Sequence, residues 1–366
     1  MTQAVAGNKI SLFVDREGCV WGCGLNSRGQ LAVEKRQLNS LEKVFTSHTP
    51  IQSVCCGLFH TVFLDYNKEV WSSGGNANGQ LGLGDVENRF HPEKISNLAD
   101  IHLISCGALH SLFLNDHGQV WVCGNNSTGQ LGLNDTADRL QPHPIELSSE
   151  IQALAGGENH SLFVTEGGSV LACGSNYNGQ LGLEGDWPRT TPSVLSLVDI
   201  KNVACGTSHS LFLDQQGAVY SCGANFYGQL GLRSSSKTLP TKVPSVPPIQ
   251  SISSQYNHSC FLDHSGSIWV CGENICGQLG LGRTIAQDTP VPISIFWHQI
   301  RSFSCGSSHT IVVDFQGSIW AFGSNKDAEC ALEEKTNITV PTCLSAPFEV
   351  GVPRCGLRTK AAVARR

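Results

Sequence analysis

Residues Cys106–Leu133 read CGALHSLFLNDHGQVWVCGNNSTGQLGL, and the fold turns on how often this stretch returns. Its Gly-Gln-Leu ending recurs with the glutamine at Gln30, Gln80, Gln130, Gln180, Gln229 and Gln278, at intervals of 50, 50, 50, 49 and 49 residues. Its histidine, always followed by Ser or Thr, recurs at His60, His110, His160, His209, His258 and His309; from His60 to His258 the next glutamine is always 20 residues on. Extending that interval puts Ile10 in a first histidine slot and Glu329 in a last glutamine slot, which makes seven units. A fixed period near ~50 residues marks a repeat architecture. Beyond the seventh unit, Cys355-Gly356-Leu357-Arg358-Thr359 matches Cys56-Gly57-Leu58-Phe59-His60, so residues 347–364 read as a partial closing unit.

Within a unit, the apolar run Ser111-Leu112-Phe113-Leu114 and the alternating run Gln119-Val120-Trp121-Val122-Cys123 flank a turn that ends at Gly118. Two short strands joined by a tight hairpin are expected there. Ile101-His102-Leu103-Ile104-Ser105 reads as a strand before them and Gln130-Leu131-Gly132-Leu133 as one after, giving four strands, A to D. The expected fold class is all-β: a single seven-bladed β-propeller over residues 1–366, with four-stranded blades and closed by N- and C-terminal segments. Closure removes exposed strand edges. The segment Phe348 to Val363 is the candidate closing piece for the blade that begins near Ile10, with Thr2 to Ala6 competing for the place.

Composition narrows the function. Charged residues are 15% of the chain, against ~25% in an average globular protein, and 24 Lys+Arg against 30 Asp+Glu leave a net charge of −6. Nucleic-acid affinity rests on clustered positive charge, so no nucleic-acid partner is expected. Neither a transmembrane run nor a secretory signal is legible, and a cytoplasmic monomer is expected, with nucleus or host-cell cytosol as other compartments.

Several residues resemble chemistry but repeat like structure. Glycine precedes each glutamine slot by six residues (Gly24, Gly74, Gly124, Gly174, Gly223, Gly272, Gly323), and asparagine follows two later (Asn26, Asn76, Asn126, Asn176, Asn225, Asn274, Asn325). A positive-φ turn and an Asn that bonds its own turn account for both. The six histidines lie one per unit, so a ring spreads them apart rather than around one ion, and each ring is expected to bond a neighbouring blade's backbone. Ten of 16 cysteines fall in two repeating slots, with no Cys-x-x-Cys, as small buried side chains do. Asp65, Asp214, Asp263 and Asp314 open the B-to-C turns. No catalytic constellation, metal site or cofactor site is expected.

The unit Cys-Gly-x-x-His-Ser-x-x-Leu … Gly-x-Val-Trp-x-Cys-Gly-x-Asn-x-x-Gly-Gln-Leu-Gly-Leu, seen nearly complete from Cys106 to Leu133, resembles the regulator of chromosome condensation repeat family over residues 6 to 364. The resemblance implies a seven-bladed propeller. The family's founding member is a guanine-nucleotide exchange factor for the Ran GTPase that also docks on nucleosomes; similar propellers serve as scaffolds or as parts of signalling and ubiquitin-ligase proteins. It therefore implies a protein partner, a small Ras-superfamily GTPase, and non-covalent exchange activity; the alternative is a scaffold for trafficking or ubiquitination partners, or a bacterial effector in a host cell. Two departures count against exchange and chromatin docking. The founding member inserts a hairpin wedge from one blade, whereas here no interval between markers has room for one. It also carries a basic N-terminal tail, whereas this chain is acidic overall and is read as starting almost directly in its first strand, so chromatin docking is not expected.

Variation among aligned turns locates a partner surface. C-to-D tips carry aromatics only in units four and five, at Tyr177 and at Phe226-Tyr227, and the next A-to-B tip holds Tyr256. These four are expected on one face as an aromatic anchor of the kind enriched at interfaces. Trp187 and the stretch Ser234–Lys237 are read as D-to-A connections on the opposite face, with Trp187 a second anchor beside Phe296-Trp297-His298.

Overall fold

The computed structural model describes residue 1 and residues 3–294 and 300–344. These form seven four-stranded sheets, each an antiparallel meander in chain order. In the third blade, Ile101–Cys106 is strand A, His110–Asn115 strand B, Val120–Gly124 strand C and Arg139–Pro144 strand D. Strand B is buried along its whole length, while D is largely exposed. That gradient follows from position: B has strands on both edges and blades on both faces, whereas D is the rim. Asn115 Oδ1 accepts from the amides of His117 and Gln119, and Gly118 takes φ 69°, so side chain and glycine close the B-to-C hairpin together.

The fourth strand is not where the hydrophobic run suggested. Gln130-Leu131-Gly132-Leu133 is an irregular buried turn, and strand D is the polar, proline-bearing stretch Arg139–Pro144. Leu131 is fully buried, but its amide bonds Asn126 Oδ1 (3.0 Å) and Gly132 N bonds Gly129 O (2.9 Å), which meets the backbone's needs without a ladder. Pro142 and Pro144 are tolerated in D because it is an edge strand.

The cores lie between blades. Leu112, Leu114, Val120 and Leu131 of the third blade pack on Ile151, Leu154, Phe163 and Cys173 of the fourth, and each junction repeats the pattern. A fully buried phenylalanine three residues after the histidine slot (Phe13, Phe63, Phe113, Phe163, Phe212, Phe261) plugs each preceding blade. The seventh blade has Val312 there, but Phe322 stands where five of the other blades carry a cysteine and the second carries Ser73, and Val312 and Phe322 enter the same junction. The exchange conserves volume across two neighbouring positions, which cores accept well.

Ring closure is direct. Ala4, Ala6 and Phe13 pack with Ile311, Val313 and Ile319 of the seventh blade, and Ala6 N donates to Ser304 Oγ (3.0 Å). Strand A of the first blade is Gln3–Ala6, paired to Ile10–Val14 with Ala4 opposite Phe13. The place assigned to Phe348–Val363 is therefore held by the competing N-terminal segment, which reaches it through a three-residue turn; residues 348–363 lie outside the described residues.

Candidate functional site

The histidine slots build a belt joining blade to blade. Nε2 of His60, His110, His160, His209, His258 and His309 lies 2.9–3.1 Å from the hydroxyl of Ser111, Ser161, Ser210, Ser259, Thr310 and Ser11 respectively, each in the next blade. Each hydroxyl also gives its proton to the backbone carbonyl in the preceding glutamine slot, as Ser161 does to Gln130 O (2.7 Å) and Ser11 to Glu329 O (2.6 Å). A hydroxyl has one proton, so it accepts from the ring and Nε2–H is the tautomer. The partner is thus a neighbouring hydroxyl, not the neighbouring backbone that the sequence suggested; a side chain at this depth meets the strand-B hydroxyl of the next blade, and His209 Nε2 also lies 2.8 Å from Ser254 Oγ on that blade's strand A. Burial pushes His60, His160, His209 and His309 down to about 3 and His110 to about 4, so these rings are neutral structural donors. The first blade breaks the belt: Ile10 fills its slot, and Thr61 bonds Gln30 O (2.7 Å) with no histidine before it.

The belt explains the Cys-Gly step. A Cβ on Gly107 would stand 2.0 Å from His110 Cε1, and Gly57, Gly157, Gly206 and Gly306 are shielded in the same way. Nearby, Cys123 and Cys173 place sulfur 3.7 and 3.4 Å from the same glutamine-slot carbonyls. Burial pushes the Cys23 thiol up to about 12, far from a reactive thiolate.

The predicted partner residues share one face. Asn125 N bonds Leu109 O (2.8 Å), Ser175 N bonds Asn159 O (2.8 Å) and Glu273 N bonds Asn257 O (2.9 Å), so A-to-B turns and C-to-D connections meet at the same blade ends. Tyr177, Phe226, Tyr227 and Tyr256 are 65, 77, 44 and 41% exposed at those ends. The tips are shaped by the repeat: Gln180 Oε1 accepts from Asn178 N and Gln229 Oε1 from Tyr227 N, which locks each loop under its aromatic. Phe226 and Tyr227 border an open depression with Arg233, Ser234, Ala286 and Asp288, spanning the fifth and sixth blades.

Trp187 does not lie on the opposite face where its spacing puts it. It precedes strand D, Arg189–Val194, and so belongs to the C-to-D connection on the same face as Tyr177, not to a D-to-A loop. Ser234–Ser236 move with it, since their strand D begins at Lys237. The error follows from the misassigned fourth strand. Trp187 is 57% exposed, and the Arg189 guanidinium lies 4.8 Å from its ring centroid. Phe296, Trp297 and His298 lie outside the described residues.

Tyr256 carries a second distinction. It alone in its turn slot has positive φ, 55°, because strand A of the sixth blade runs through Gln255 and pairs it with His258, leaving Tyr256-Asn257 as a two-residue hairpin. In the orientation that satisfies both its ends, the Gln255 amide nitrogen donates to Ala6 O (2.8 Å) and Cys305 O (2.7 Å), tying this turn to the seventh and first blades. Ile275 and Ile285, 68 and 67% exposed in the sixth blade's C-to-D connection, extend this apolar surface, and an aromatic-only signal in the sequence does not reveal them.

The described residues thus form an antiparallel propeller whose repeated polar side chains bond within and between blades, with apolar side chains exposed on one face. A family model described as the RCC1-like domain matches residues 147–365, and the regulator of chromosome condensation (RCC1) repeat matches 17–64, 68–114 and 117–164. The chain belongs to the RCC1 repeat family. Among solved structures, human WBSCR16 is similar at 24% identity and TM-score 0.80, covering 89% of this chain and 93% of that one. Yeast RCC1 (Prp20) bound to Kap60 is similar at 22% and 0.81, covering 95 and 86%. Prp20p from Saccharomyces cerevisiae, described with its binding to Gsp1p and histones, is similar at 22% and 0.81, covering 92 and 88%. The search of curated proteins found no match. No helix among the described residues is long and apolar enough to cross a membrane.

Proposed function

We propose that this propeller binds a protein partner, a small Ras-superfamily GTPase, through the A-to-B and C-to-D face of blades four to six. The observation that carries the reading is the exposure of Tyr177, Phe226, Tyr227 and Tyr256 on that face, now joined by Trp187 and Ile275. Exposed rings held on tightly bonded turns lose little freedom on docking, and a few such anchors carry most of an interface's energy. Nucleotide exchange would need no covalent step: preferential binding of the nucleotide-free GTPase shifts its population toward release.

A non-exchanging scaffold is the second reading, and one observation favours it. Among the described residues every blade has four strands and none carries an added hairpin that could wedge into a GTPase. The two separate in one experiment: release of a fluorescent guanine nucleotide from a panel of small GTPases, Ran included, alongside capture of their nucleotide-free forms. Accelerated release supports exchange, capture without acceleration supports the scaffold, and neither removes GTPases from the reading. Tyr177→Ala with Tyr227→Ala should weaken capture by about tenfold or more with an unchanged melting temperature.

A further inference from the structure

We propose that the junction of the sixth and seventh blades binds a zinc ion through His258, Cys260 and Cys305. Among the described residues this is the one cluster of its kind, and a histidine nitrogen and the two sulfurs all lie within 4.8 Å of one another. All three side chains are buried, with Cys305 the most exposed at 2%. Zinc takes sulfur at ~2.3 Å and imidazole nitrogen at ~2.0 Å, so two ligands on one ion sit at most ~4.6 Å apart. In tetrahedral geometry the ligands stand about 3.5–3.8 Å apart, so atoms within 4.8 Å of one another close by about 1 Å or less on such an ion.

The cluster is a departure from the repeat. Two residues after the histidine slot the other blades carry Leu12, Val62, Leu112, Leu162, Leu211 and Ile311, all fully buried and aliphatic. Only the sixth blade has a thiol there. Cys305 approaches from strand A of the seventh blade, where Ser253 Oγ accepts from its amide (3.1 Å) and holds the backbone. Packing alone does not call for a sulfur at Cys260, since six equivalent junctions are filled by hydrocarbon.

The chemistry balances. Each thiol releases its proton to solvent as a zinc–sulfur bond forms; the His258 ring proton moves from Nε2 to Nδ1, giving up its bond to Thr310 Oγ1 so that the Nε2 lone pair faces the ion, and nothing is oxidised or reduced. Two thiolates neutralise the dication, so the buried complex carries no net charge. Cys305 Sγ, 3.4 Å from Ser253 O as a thiol donor, turns from that carbonyl once deprotonated. Thr310 Oγ1, 3.1 Å from His258 Nε2 and donating to Gln278 O at 2.8 Å, keeps lone-pair density for a fourth position. The ion would crosslink neighbouring blades at the junction above which Gln255 also ties the ring.

The test uses the full chain expressed in zinc-supplemented medium and purified under reducing conditions without chelator. Elemental analysis should give close to one zinc per chain, falling at least tenfold in Cys260→Leu, which installs the residue that Leu112 and Leu162 place in other blades and so keeps the fold. Cobalt(II) replacing the zinc should give the intense absorption of tetrahedral cobalt–thiolate in the wild type and not in Cys260→Leu. The proposal is overturned by folded wild type that holds no zinc, by copper retained in preference to zinc, by Cys260→Leu keeping the metal, or by peptide mapping that finds Cys260 and Cys305 joined only as a disulfide.

Discussion

Removing one hydroxyl from the belt tests whether it holds the ring together. Ser161 Oγ is fully buried, donates to Gln130 O at 2.7 Å and accepts from His110 Nε2 at 3.0 Å. In Ser161→Ala both partners lose their bond in a site water does not reach, and an orphaned buried group costs about 1–3 kcal/mol. Gln130 O keeps a weak contact from Cys173 Sγ at 3.4 Å, which trims the loss on that side. The total comes to about 2–4 kcal/mol. Thr61 supplies an internal control, because Ile10 replaces the histidine before it and its hydroxyl donates to Gln30 O with only a long thiol contact from Cys56 Sγ (3.9 Å) besides. Thr61→Val should therefore cost only about 1–2 kcal/mol. Urea midpoints at constant slope measure both. If Ser161→Ala costs no more than Thr61→Val, the histidine contributes nothing and the belt is packing without polar coupling.

Acid should unfold the protein through the same groups. His60, His110, His160, His209 and His309 are neutral when folded down to about 3 or 4, while the unfolded chain protonates them near ~6.5. Below that pH the unfolded state binds more protons, so stability is full above ~6.5 and falls with pH toward the folded values by about 1.4 kcal/mol per unit for each histidine. Denaturant midpoints that stay flat from pH 7 to 5 would contradict this. Ser73 has a fully buried hydroxyl without a partner, in the slot where other blades carry cysteine, so Ser73→Cys should raise stability by about 1–2 kcal/mol; a lower melting temperature would show an unseen bond. Val312→Phe alone should overpack the last junction by about 1–3 kcal/mol, and adding Phe322→Cys should recover most of it; simple additivity in thermal melts would refute the shared volume.

The repeated polar residues of this chain bond within and between its blades. Aspartates at the hairpins show the same economy: Asp65 Oδ1 accepts from Asn67 N and Glu69 N, and Asp263 Oδ2 from Trp269 Nε1. What is left exposed and apolar varies among blades, and it varies most on one face of blades four to six. Partner choice in a ring of near-identical units can reside only where the units differ.

Much of the fold was legible because each unit repeats a local solution. The glycine at Gly124 takes φ 105° and Asn126 Oδ1 accepts Leu131 N, as turn chemistry at those positions requires. Strand D was misread because hydrophobicity marks burial, not pairing: Leu131 is buried in a turn, whereas Arg139–Pro144 pairs at the exposed rim. That one slip moved Trp187 to the wrong face.

The sequence by itself determined the number of blades, their central strands and the turn residues, since these depend on short-range periodicity and backbone conformation. Tertiary structure alone decided which segment lies beside Ile10–Val14, what each histidine bonds, and that Cys260 meets Cys305 across 45 residues of chain. Those facts depend on which blades become neighbours when the ring closes, and no spacing within one unit encodes a contact made between two.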